Sequence, residues 1–170
     1  LPSRSGRSAS RRGRAAAVSR APCGGKRFSS LRISGVAGRL YEAIAGAGAH
    51  LQLISVGGNT TFVINNSSDT VQSSQSTDLI EVNTNFTLSN ATSQSVANLM
   101  LMGTSSLLAT STVSQAELIG NGGNSMLAAS AAGVTDTLVS GSGNTLFVIG
   151  GNTADLILNG KPGDTMQSAA

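Results

Sequence analysis

Single large apolar residues recur along the last third of the chain at Leu127, Leu138, Phe147, Ile157 and Met166, in steps of 11, 9, 10 and 9 residues. Short blocks rich in Gly and Asn precede them: Gly120-Asn-Gly-Gly-Asn-Ser-Met-Leu127, Gly141-Ser-Gly-Asn-Thr-Leu-Phe147 and Gly160-Lys-Pro-Gly-Asp-Thr-Met166. The same rhythm appears earlier, in Gly57-Gly-Asn-Thr-Thr-Phe62 and Asp69-Thr-Val71. Such a period predicts a turn of Gly and Asn, which tolerate unusual backbone angles, followed by a short strand with its central side chain inward. One unit buries too little to stand alone, so several must stack into a column of aliphatics. Gly and β-branched residues at this density oppose a helix. The predicted class is therefore all-β, a parallel β-solenoid or β-roll over residues 51–170. In Val96-Ala-Asn-Leu-Met-Leu-Met-Gly103, strand alternation puts either Leu99 and Leu101 or Met100 and Met102 in the core. The other pair then faces a neighbouring layer or a partner.

Composition agrees with thin layers rather than a globular core. Aromatics are 3% of the chain and there is no Trp. Charge divides the chain in two. Ten of the 11 basic residues precede residue 40, while seven of the eight acids follow residue 50. The overall net charge of +3 thus describes neither part. Residues 1–50 read as a basic, mostly disordered leader, since Arg, Ser, Gly and Ala bury little surface. A nucleic-acid-binding arm lacks interleaved aromatics to stack bases. A twin-arginine export signal at Ser10-Arg11-Arg12 lacks the apolar stretch that should follow, because Arg20 cuts it short. A transit peptide fits the composition, and a non-native upstream extension is the reading favoured. Residues 34–53 are expected to form a short helix capping the solenoid or a linker. No run of 18 apolar residues occurs, so no transmembrane helix is expected.

The blocks resemble the nonapeptide Gly-Gly-x-Gly-x-Asp-x-apolar-x of the bacterial RTX, or hemolysin-type calcium-binding, repeat proteins. Asp78-Leu-Ile, Asn85-Phe-Thr-Leu-Ser89, Val96 to Gly103 and Leu118-Ile-Gly-Asn-Gly-Gly-Asn124 follow in the order of the spacer between nonapeptide arrays in that family. The resemblance covers residues 55–170. It implies a parallel β-roll, exported by type I secretion to the extracellular space or cell surface, with calcium bound between turns. Calcium takes six to eight oxygens, several of them carboxylate. Aligning the apolar residues puts the family's metal-ligating Asp position at Ser125, Asp136, Thr145, Asp155 and Asp164. Metal candidates are therefore Asp136, Asp155 and Asp164. Asp136 and Asp155 would share one site across the coil, and Asp164 would face Thr145 in a half site. The competing reading makes these Asp residues ordinary turn residues.

Other chemistry finds little support. His50 and Cys23 are each single of their kind, too few for a zinc site and without the spacing of a redox pair. No Gly-x-Ser-x-Gly elbow and no phosphate-binding glycine loop occurs. The expectation is a non-catalytic extracellular repeat module of an adhesin, surface-layer or toxin-like bacterial protein, ordered by calcium and largely unstructured in chelator. Its partners would be calcium ions and a cell surface, a polysaccharide or other solenoid chains. One alternative is the repeat portion of a larger secreted enzyme, a protease or epimerase. Another is a calcium-independent solenoid that binds ice or another surface through rows such as Thr60, Thr70 and Thr77 or Thr137, Thr145 and Thr153.

Overall fold

The computed structural model describes residues 51–55, 58–73, 75–90, 92–94, 96–129, 135–150 and 154–168, together with backbone strands at Val18–Ser19, Ser29–Ile33 and Gly38–Tyr41. The described residues are all-β, a parallel β-solenoid of about five turns. A central sheet stacks Gly38–Tyr41, Thr60–Ile64, Leu79–Val82, Asn98–Leu101, Glu117–Ile119, Thr137–Val139 and Leu156–Leu158. A second sheet ends with Leu51–Ser55, Thr70–Gln72 and Ser93–Gln94. A third stacks Phe86–Leu88, Leu108–Ser111, Ser125–Ala128, Thr145–Ile149 and Thr165–Ser168. The chain passes from the central sheet to one of the others and back, so a coil contributes one strand to the central sheet and one to a flanking sheet. The coil that begins at Leu79 contributes to all three, and there the second sheet ends and the third begins.

Register follows the apolar period. Phe62 lies on Ile80, Ile80 on Leu99, Leu99 on Leu118, Leu118 on Leu138 and Leu138 on Ile157. On the third sheet Phe86, Ala109, Leu127, Phe147 and Met166 form a matching column. Successive apolar residues of the sequence period thus alternate between two sheets, and two periods make one coil. Most of these side chains are buried in one continuous core. Burying each stabilises the stack by roughly 1.5–3 kcal/mol. Met166 stands on Phe147 but is 68% exposed, in the last coil described. Leu99 and Leu101 are the core pair of their strand, and Met100 and Met102 face outward.

The turns are built for close stacking. Asn59 and Asn159 take left-handed backbone, at φ 57° and 56°, which asparagine tolerates. A Cβ on Gly141 would collide with the Asn121 carbonyl, and one on Gly143 with the Gly123 carbonyl. These two positions admit only glycine because the backbone of the preceding coil occupies the space.

Parallel pairing also reaches toward the N-terminus. Ser29–Ile33 pairs with Leu51–Ser55, and Gly38–Tyr41 with Thr60–Ile64. Where residues 34–53 are described they are strand, and the rest of that region, with His50 and Cys23, lies outside the described residues. No helix among the described residues is long and apolar enough to cross a membrane.

Candidate functional site

The polar side chains concentrate at the corners between strands. Aspartates stand immediately before several strands, where they meet the preceding coil. Asp78 Oδ1 accepts the Thr60 amide at 2.7 Å, and its other oxygen accepts the Ser73 hydroxyl. Asp136 Oδ1 accepts the Ala116 amide at 2.9 Å. Asp155 Oδ1 accepts the Asp136 amide at 3.0 Å, and Oδ2 the Gly150 amide at 3.2 Å. Asp164 Oδ1 accepts the Thr145 amide at 2.7 Å, and Oδ2 the Lys161 amide at 2.9 Å. The geometry has a simple cause. The residue leading a strand has not yet entered the ladder, so the amide beneath it needs an acceptor. A carboxylate reaches it while tying down its own turn, and such charge-assisted bonds are the stronger kind.

The predicted neighbours are therefore neighbours. Asp136 and Asp155 occupy consecutive coils on one side, and Asp164 faces Thr145. Ala97 and Ala116 hold the intervening positions of the column that contains Asp78, Asp136 and Asp155. The column of carboxylates is thus interrupted by alanine between Asp78 and Asp136.

Turn carbonyls, the other half of an oxygen site, are met by donors from the next coil. Asn98 Nδ2 donates to the carbonyls of Ser76 and Asp78, at 2.8 and 3.0 Å. Asn121 Nδ2 donates to those of Met102 and Ser105, at 3.1 and 2.9 Å. Lys161 Nζ donates to the carbonyls of Gly141 and Gly143 and, at 3.0 Å, to the Ser140 hydroxyl. The same ammonium lies 3.9 Å from Asp164 Oδ1. Burial by itself would raise the Asp164 carboxyl. Amides of Thr145 and Lys161, the Ser140 hydroxyl and the Lys161 charge outweigh it and hold Asp164 below the usual aspartate range.

A calcium ion at Asp136 and Asp155 would meet two carboxylates on adjacent coils. Asp136 already accepts one backbone amide and Asp155 two. The turn residues 130–134 and 151–153 beside them lie outside the described residues. The donor set at Asp164 does not fit a bound metal, because a lysine ammonium holds the place. Among the described residues no three carboxylate, imidazole or thiol groups converge as a metal cluster.

The candidate threonine rows do not form. Thr60 lies in the central sheet and Thr70 in the second, Thr145 is buried in the third, and Thr153 is outside the described residues. The outward face of the central sheet instead carries Val63, Glu81, Met100, Ile119, Val139 and Leu158 in register, mostly apolar. Sequence reasoning missed Asn98, Asn121 and Lys161. Lys161 had a signal: it is the single basic residue after residue 40, three places before an Asp, in a glycine turn.

No family model, curated protein or solved structure matches the chain.

Proposed function

We propose that this chain is a non-catalytic structural and binding module of an extracellular protein, an adhesin, surface-layer or toxin-like assembly of the RTX kind. One calcium-responsive point lies at Asp136 and Asp155. The observation that carries the reading is the use of the polar side chains. Asp78, Asp136, Asp155 and Asp164 each bind an amide of the coil below, so the acidic groups serve coil-to-coil cohesion. What the stack then offers to a partner is its outer face, where Met100, Ile119 and Val139 recur one coil apart. A regular, partly apolar face of this sort suits contact with a surface or another chain.

Because amides already satisfy much of each carboxylate, calcium adds to a stack that is folded without it. Circular dichroism melts of the full chain, in millimolar calcium and in chelator, test this. The expected result is a β signal in both and a higher melting temperature in calcium. The rise should disappear in an Asp136→Ala, Asp155→Ala double variant. An equal rise in that variant would remove the site assignment, and a parent indifferent to calcium would remove calcium from the function.

A further inference from the structure

We infer that Lys161 is a built-in cation, seated in a cradle of oxygens that would otherwise bind a dissolved hard cation such as calcium. The cradle belongs to two coils. Turn 140–143 supplies the carbonyls of Gly141 and Gly143 and the Ser140 hydroxyl, and Asp164 of the next coil supplies a carboxylate. These are four oxygens of three chemical types converging on one positive charge. Hydrogen-bond counting accounts for three of the four oxygens. An ammonium has three donors, and they are spent on two carbonyls and a hydroxyl, while the carboxylate completes charge balance.

Why carbonyls gather there follows from the fold. Gly141 and Gly143 lie against the backbone of turn 120–124, with no room for a side chain at either. The Gly143 amide donates down to the Asn121 carbonyl, which fixes the turn's peptide planes. Their carbonyls then face the coil above. Buried carbonyl dipoles without a donor are costly. Two coils below, the Asn121 amide answers the carbonyls of Met102 and Ser105 in the equivalent turn. That turn has no carboxylate partner in the pattern, and a neutral amide suffices. At turn 140–143 the carboxylate of Asp164 is present, and a full positive charge answers it. The charge of the occupant thus tracks the charge of the cradle.

A tethered ammonium needs no free cation, so the coil containing residues 156–168 is held in chelator as firmly as in calcium. Removing the ammonium leaves oxygens suited to calcium, which prefers carbonyl and carboxylate ligands and fills its shell with water. With one carboxylate the affinity is weak, with half-saturation on the order of 1 mM.

The test compares the full-length parent with Lys161→Met, which keeps the length and drops the charge. Calcium stoichiometry is read by isothermal titration, and amide exchange over residues 140–168 is read in chelator. The variant is expected to take up one calcium more than the parent, and a further Asp164→Asn change to abolish the gain. In chelator its amides at 140–145 are expected to exchange roughly tenfold faster than the parent's, because the clamp on the turn is gone. Should Lys161→Met lose its β signal in chelator, calcium is expected to restore it. Equal stoichiometry in parent and variant would overturn the cradle. Equal exchange in chelator would overturn the role of the ammonium, and a lost β signal that calcium does not restore would overturn both. The count is a difference from the parent, so it is independent of whether calcium binds at Asp136 and Asp155. Failure at that pair leaves the extra equivalent intact.

Discussion

Between residues 60 and 101 each strand of the central sheet buries two large apolar side chains: Phe62 and Ile64, Ile80 and Val82, Leu99 and Leu101. From residue 117 onward each strand contributes one, Leu118, Leu138 and, in part, Ile157. The second position passes from Leu101 to Gly120, Ser140 and Asn159 in the coils that follow. Where the side chains shrink, glycine backbones of adjacent coils meet, Gly120 against Gly141 and Gly143 against Gly123. Hydrogen bonds fill the space: Asn121 to Ser125, Ser140 to Thr145, Lys161 to the glycine carbonyls. The same coil can therefore be held by carbon in one half and by directed polar contacts in the other. Apolar contact tolerates exchange of one side chain for another of similar volume. Directed contacts do not, because a buried polar group left unmatched costs its full desolvation.

The sharpest way to break the comparison is a cavity in the first half. Leu99→Ala is expected to cost about 3–4 kcal/mol, read from chemical denaturation, since Leu99 is fully buried between Ile80 and Leu118. Leu99→Met should cost less than about 1.5 kcal/mol. If both cost the same, packing in that half is directional after all.

In the second half the corresponding lesion is a methyl group added. Gly143→Ala is expected to cost about 2–3 kcal/mol by the same measurement, because its Cβ meets backbone that cannot rotate away. A change below about 0.5 kcal/mol, typical of an ordinary surface site, would show that the glycine turns stack loosely.

The smallest effect concerns pH. The Asp164 carboxyl is held below its ordinary value in the folded chain, which is near 3.9 for a free aspartate. Its contribution is therefore complete above that value and is lost as pH falls through the lowered one. Asp164→Asn should melt about 2–4 °C below the parent at neutral pH, which corresponds to roughly 1 kcal/mol in a chain of this length. The gap should close below about pH 4. A gap that persists in acid would assign the effect to shape rather than charge.

The apolar rhythm from Leu127 to Met166 was legible because a strand has period two and a coil repeats its strands, so spacing alone fixes which residues share a column. The pairings of Asp136 with Asp155 and of Asp164 with Thr145 came from the resemblance to a β-roll, in which turns two apart lie on one side. What the aspartates do was less legible. A carboxylate before a strand reads the same whether it meets an amide or a metal, and only the position of the Thr60, Ala116 and Thr145 amides separates the two. Lys161 was hidden because a lysine in a turn is usually solvated, and its partners, Gly141 and Gly143, lie about one coil earlier.

The coil beginning at Leu79, where one flanking sheet stops and another starts, has a mechanical meaning. Neither flanking sheet runs the length of the stack, and the central one does, from Gly38–Tyr41 to Leu156–Leu158. Tension applied along the axis is carried past that coil by two ladders at each step, the central one with Thr70–Gln72 on Ser93–Gln94 below it and with Phe86–Leu88 on Leu108–Ser111 above it. The splice is thus an overlap joint: because one coil carries both flanking strands, load is handed from one flank to the other with no level held by a single ladder.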